Sequence, residues 1–177
     1  LTNITERGTA YSLAEIRALT AVARAHGLAT HLDGARFANA CAALGCSPAE
    51  MTWKAGIDAV SFGGTKNGCM GVEAVVIFDP AHGRELALRR KRGGHLFSKH
   101  RYLSSQMVAY CADGLWLDMA IAANARMAQL VQGLARVQGA HLCHPAAGNL
   151  AFIDAPRAAH ARAFAAGAQY YLFDGSL

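Results

Sequence analysis

The chain has 177 residues, 53% of them hydrophobic and 16% charged, enough apolar material for one buried core or for one domain and part of another. No apolar run approaches the roughly 18 residues that a membrane-spanning helix requires. The opening Leu1-Thr2-Asn3-Ile4-Thr5-Glu6 has neither an initiator methionine nor a secretory leader pattern, so the chain is expected to begin inside a longer sequence.

Helix and strand signals alternate along the chain, which predicts an α/β fold with a largely parallel sheet. Ser12-Leu13-Ala14-Glu15 reads as a capping box, in which the serine caps a new helix and the glutamate reaches back. Leu13, Ile16, Leu19, Val22 and Ala23 then recur at helical spacing, and Gly27 closes the helix. Leu28 to Leu32 predicts a short strand ending at Asp33, followed by a helix from Ala35 to Leu44 that Gly45 stops. Ser47-Pro48-Ala49-Glu50 repeats the capping box with proline at the first helical position. Ala59 to Phe62 and Glu73 to Phe78 predict two further strands, the last ended by Asp79-Pro80. The glycine-rich link between these two is too short for a helical crossover, so they should run antiparallel.

Downstream, Arg84, Arg89, Arg90, Lys91, Arg92, Lys99 and Arg101 concentrate much of the net charge of +5. The cluster lacks interleaved aromatics and any nucleic-acid motif. It reads either as a solvated helix face or as a site for capturing a small phosphate. A helical stretch from Ser98 to Val137 should break near Gly114. Asn149 to Asp154 is strand-like and Pro156 to Ala166 helical. Tyr170 to Asp174 reads as a strand, which gives an open end there too. A boundary near Gly139 divides a main body, 1–138, from the opening of a smaller domain, 139–177.

Cys41, Cys46, Cys69, Cys111 and Cys143 are scattered and form no C-x-x-C pair. Such a set predicts reduced, mostly buried thiols and a cytoplasmic setting. His141, Cys143 and His144 are too compressed for a zinc site, and no metal is expected.

Two segments carry the chemistry. His31-Leu32-Asp33-Gly34-Ala35-Arg36 and Ser61-Phe62-Gly63-Gly64-Thr65-Lys66-Asn67-Gly68 each stand where a strand should end. Ligands bind outside the carboxyl ends of strands in open α/β sheets. An acid, a lysine and an arginine delivered there are what a pyridoxal phosphate site requires: the acid for the pyridine nitrogen, the lysine for the cofactor aldehyde, the arginine for a carboxylate. Each residue also has a plainer reading. Asp33 could cap the following helix, Lys66 could be a surface lysine in a turn, and Arg36 could form a surface ion pair. His31 projects to the same side of its strand as Asp33, either lining a pocket or satisfied in the core.

Thr5-Glu6-Arg7-Gly8-Thr9-Ala10-Tyr11, His31 to Ala40 and Ser61 to Gly68, continued by Glu73-Ala74-Val75-Val76, together resemble the low-specificity L-threonine aldolases. These belong to the aspartate-aminotransferase-like fold type I of pyridoxal phosphate enzymes. The likeness runs from Leu1 to about Leu130. It implies the C-terminal part of the large, mostly parallel-sheet domain plus the start of a small C-terminal domain. It further implies Lys66 as the catalytic, cofactor-linked lysine, Asp33 and His31 as cofactor-binding, and Arg36 as the substrate carboxylate ligand. Arg101 would reach the cofactor phosphate of a neighbouring subunit, so a homo-oligomer, dimer or tetramer, is implied. The implied reaction is retro-aldol cleavage of L-threonine, L-allo-threonine and related β-hydroxy-α-amino acids to glycine and an aldehyde. Related lyases and racemases share Asp33 and Lys66, and an inactive truncated chain is a further alternative. The resemblance also implies that the ring-stacking residue, most phosphate donors, the hydroxyl base and a second arginine lie outside these residues. Gly63-Gly64 replaces the family's commoner serine-containing form before the lysine.

Overall fold

The computed structural model describes residues 1–173. Helix α1 (Leu13–Ala25) starts on the expected capping box: the Glu15 amide donates to Ser12 Oγ at 3.2 Å, and the Ser12 amide donates to Glu15 Oε2 at 2.8 Å. Ile16 and Thr20 are its buried residues, and Thr20 Oγ1 donates to the Ala55 carbonyl at 2.6 Å.

Strand β1 is His31–Gly34, later than the sequence predicts. Leu28 to Thr30 do not join the sheet because Thr30 is tied to the segment entering the next strand. Its amide donates to Asp58 Oδ2 at 2.7 Å, and its carbonyl accepts from the Asp58 and Ala59 amides. Asp33 therefore lies within β1 and not after it.

The crossover runs through α2 (Phe37–Leu44), α3 (Pro48–Met51) and a 3-10 turn, Trp53–Ala55, to β2 (Ala59–Gly63). Helix α2 begins two residues later than Ala35, since Arg36 takes the N-cap position and offers no side-chain bond. Strands β1 and β2 are parallel, with Leu32 opposite Val60 and Asp33 opposite Ser61. Strand β3 (Glu73–Ile77) runs antiparallel to β2, as the short connection requires. The sheet order is β1-β2-β3, and Thr2 bridges to Asp33 on the free side of β1.

The two sheet faces differ. Leu32, Val60 and Phe62 face a core with Ile4, Ile16, Phe37, Met51 and Ile57. The alternate positions, His31, Asp33 and Ser61, form the other face, where His31 and Asp33 are exposed.

After α4 (Gly83–Arg92), the long helical stretch divides into α5 (Arg101–Cys111) and α6 (Leu115–Leu134). The break falls at Asp113, φ 50°, and Gly114, φ 77°, where a glycine was expected to interrupt the helix. Helix α6 packs on α2, and Asn39 and Asn124 exchange two hydrogen bonds at 3.0 Å. A second, two-stranded sheet pairs β4 (His141–Leu142) with β5 (Ile153–Asp154). Only those last two residues of the predicted Asn149 to Asp154 strand pair. Helix α7 (Arg157–Ala165) follows as expected. Residues 170–173 form no strand, and Asp174 lies outside the described residues. All five cysteines are free.

Candidate functional site

The close of β1 and the close of β2 approach one another backbone to backbone. A methyl on Gly34 would lie 2.5 Å from the Ser61 carbonyl oxygen, and one on Gly63 would lie 2.8 Å from the carbonyl oxygens of both Gly34 and Ala35. Only glycine fits so close an approach. The pairing sets the Asp33 segment beside the strand that leads into Lys66.

Asp33 presents its carboxylate on the exposed sheet face, with Oδ1 accepting the Ala35 amide at 2.9 Å. It is not the α2 cap, so the plainer reading of this aspartate fails. His31, two residues earlier, puts Nε2 2.9 Å from Ser61 Oγ, and Ser61 is the register partner of Asp33. His31 is exposed on the face it shares with Asp33, which removes the core alternative. Arg36 is half-buried at the head of α2, and among the described residues it makes no ion pair.

Lys66 sits in the 3-10 turn Thr65–Asn67 immediately beyond β2. It is exposed, and no side-chain partner holds it among the described residues. The turn around it is held tightly. Thr65 Oγ1 donates to the Val72 carbonyl at 3.3 Å and accepts from the Val72 amide at 3.1 Å. Gln106 Oε1, from α5, accepts from the amides of Met70 and Gly71 at 2.9 and 3.2 Å. Asn67 is buried and donates through Nδ2 to Tyr110 Oη and to the Trp116 carbonyl, both at 2.7 Å. The Tyr110 hydroxyl donates to the Gly63 carbonyl at 3.3 Å. Burial pushes the Tyr110 phenol up, outweighing the lowering by the Asn67 bond, so it stays protonated and keeps that donor.

Arg101 stands apart. It is the exposed first residue of α5, its guanidinium 5.2 Å from the Tyr102 ring centroid. It lies nine residues before Tyr110, about 13 Å along the helix axis. Lys99 lies in the turn before α5, and Arg84, Arg89, Arg90, Lys91 and Arg92 lie on α4, a helix with no buried residue, where Glu85 accepts from Arg89 at 2.6 Å and lies 3.5 Å from Arg92. That is a solvated face.

Sequence reasoning missed Ser61, Asn67, Gln106 and Tyr110. Asn67 and Ser61 stood inside the quoted lysine segment. Tyr110 and Gln106 carried no local signal, because their partners are remote in sequence.

The donor types fit pyridoxal phosphate at its ring and aldehyde: an exposed carboxylate with an oxygen to spare on β1, an exposed primary amine just past the adjacent β2 and a half-buried guanidinium at the head of α2.

A family profile described as beta-eliminating lyase matches residues 1–156. The chain is 43% identical to a low specificity L-threonine aldolase of Pseudomonas sp. (strain NCIMB 10558), over 99% of this chain and 51% of that protein. It is 42% identical to a protein of the same description from Pseudomonas aeruginosa, with the same two coverages. A solved structure of Leishmania major threonine aldolase matches with a TM-score of 0.76 at 30% identity, covering 86% of this chain and 44% of that one. The chain thus spans about half the length of the curated relatives it matches.

Proposed function

Because the chain belongs to the beta-eliminating lyase family, we propose that it carries the lysine-bearing part of a pyridoxal phosphate-dependent aldolase. That enzyme cleaves L-threonine, L-allo-threonine and related β-hydroxy-α-amino acids to glycine and an aldehyde. The observation that carries this reading is the placement of Asp33 on β1 and of Lys66 just past the end of the adjacent, parallel β2, both exposed and neither in an ion pair among the described residues. An exposed acid with one oxygen still free and an exposed amine, neither in an ion pair, are available to a ligand.

The residues divide the work by chemical type. The Asp33 carboxylate would pair with the protonated pyridine nitrogen of the cofactor. Lys66 would hold the cofactor at its aldehyde through Nζ. Arg36 offers a planar pair of donors to the substrate carboxylate, which fixes rotation about the substrate's α-carbon and so selects the bond that breaks. His31, fixed by Ser61, lines the same face beside Asp33. When bound, the cofactor supplies a sink for the electron pair left on the α-carbon. Arg101 is exposed at the first residue of α5 with the Tyr102 ring beside it, which leaves its guanidinium available towards the cofactor phosphate of a neighbouring copy. On this reading the protein is a homo-oligomer, a dimer or tetramer, and works in the cytoplasm. Residues 1–138 belong to its large domain and 139–177 open the small one.

The test uses the full-length protein with added pyridoxal phosphate. An absorption band near the visible edge should form, borohydride should fix the cofactor to Lys66 by peptide mass, and threonine should yield glycine and acetaldehyde. Lys66→Ala should abolish all three. Fixation at a different lysine, or threonine left intact while serine is deaminated or alanine racemised, overturns the assignment.

A further inference from the structure

We propose that Asn67 and Tyr110 are positioning residues for Lys66: one phenol grips the lysine turn at both of its ends. The inference rests on Lys66 being the cofactor lysine.

The lysine side chain has four rotatable bonds and, among the described residues, no partner of its own, so its backbone directs the amine. That backbone runs from Gly63, the last residue of β2, to Asn67. Tyr110 Oη donates to the carbonyl at the first of these and accepts from the side chain of the second, at 3.3 and 2.7 Å. Lys66 lies between the two attachment points. The second Asn67 hydrogen goes to the Trp116 carbonyl at the start of α6. The amide therefore has no donor left over, and it joins the turn to both helices flanking the bend at Asp113. Asn67 is 7% exposed and Tyr110 3%, so water does not compete for these bonds.

The exit from the turn passes through Gly68 at φ +113°, a backbone conformation that residues with a side chain adopt only under strain. Aromatic packing cannot account for the polar half of this arrangement. The Tyr110 ring lies 5.6 Å from that of Phe62, and phenylalanine would keep that contact without the hydroxyl. A displacement of about 1 Å at a reacting group can cost roughly a hundredfold in rate.

Tyr110→Phe in the full-length protein is the decisive variant, with Asn67→Leu beside it. Expected for Tyr110→Phe are a melting temperature within a few degrees of the parent and a cofactor band that still forms. The covalent capture of pyridoxal phosphate, followed by stopped-flow absorbance, should slow by about tenfold. The visible circular dichroism of the bound cofactor should weaken, and kcat should fall about tenfold or more with KM within about twofold. Unchanged dichroism and capture rate in Tyr110→Phe overturn the inference, even if stability or activity falls. A parent protein that forms no band at Lys66 removes the underlying functional reading, and the inference with it. A parent that forms the band while both variants match it removes the inference alone.

Discussion

Two glycines decide how close the acid and the amine can come. Gly34 and Gly63 are small because the paired ends of β1 and β2 pack backbone to backbone there, and no rotamer change can clear a backbone carbonyl 2.5 Å from an added methyl. Gly34→Ala should therefore cost about 2 kcal/mol, read from the denaturant midpoint, as overpacked sites do. It should also weaken cofactor retention more than its stability loss explains, because it pushes Asp33 away from the Lys66 strand. Gly27→Ala is the control. Unlike Gly34 it has positive φ, +66°, and nothing lies within 4 Å of an added methyl, so a methyl there strains its own backbone without pressing on β2. Its cost should be confined to the midpoint.

At the level of elements, the latch between Thr30 and Asp58 ties the approach to β1 to the start of β2. The Thr30 amide and hydroxyl, at 2.7 and 2.9 Å, hold the Asp58 carboxyl below its usual range. A carboxyl depressed in the folded state adds stability that is present above its unfolded pKa, about 3.9, and lost as pH falls through the lower folded value. Asp58→Asn should lower the melting temperature at neutral pH and flatten the decline below about pH 4. The side chain is exposed, so the effect is on the order of 1 kcal/mol or less. This latch also marks where sequence reading ran out. Capping boxes at Ser12 and Ser47, the antiparallel β2–β3 pair and the break at Gly114 were legible, because each is written in residues close together. The start of β1 was not, since Leu28 to Leu32 is apolar enough for a strand and only a partner 28 residues away withdraws Thr30 from the sheet. Asp33, Lys66, Arg36 and His31 were legible as motif residues. The hold on Lys66 was not, because Asn67 meets Tyr110 across 43 positions.

For the molecule as a whole, stability rests on the core beneath the sheet that the described residues form, while much of its charge sits on α4, where surface pairs such as Arg89 with Glu85 contribute little. The sheet order has a consequence at the side away from Thr2. Among the described residues β3 has no neighbour beyond β2, so half of its amides and carbonyls face outward as an unprotected template for another strand. Val75 and Val76, 55% and 40% exposed, make that template sticky, and Glu73 is the one charge on it. The 177-residue chain held alone at high concentration should self-associate through this margin, with rising light scatter and thioflavin binding. Val75→Lys should suppress both, as a gatekeeping charge does on an open margin.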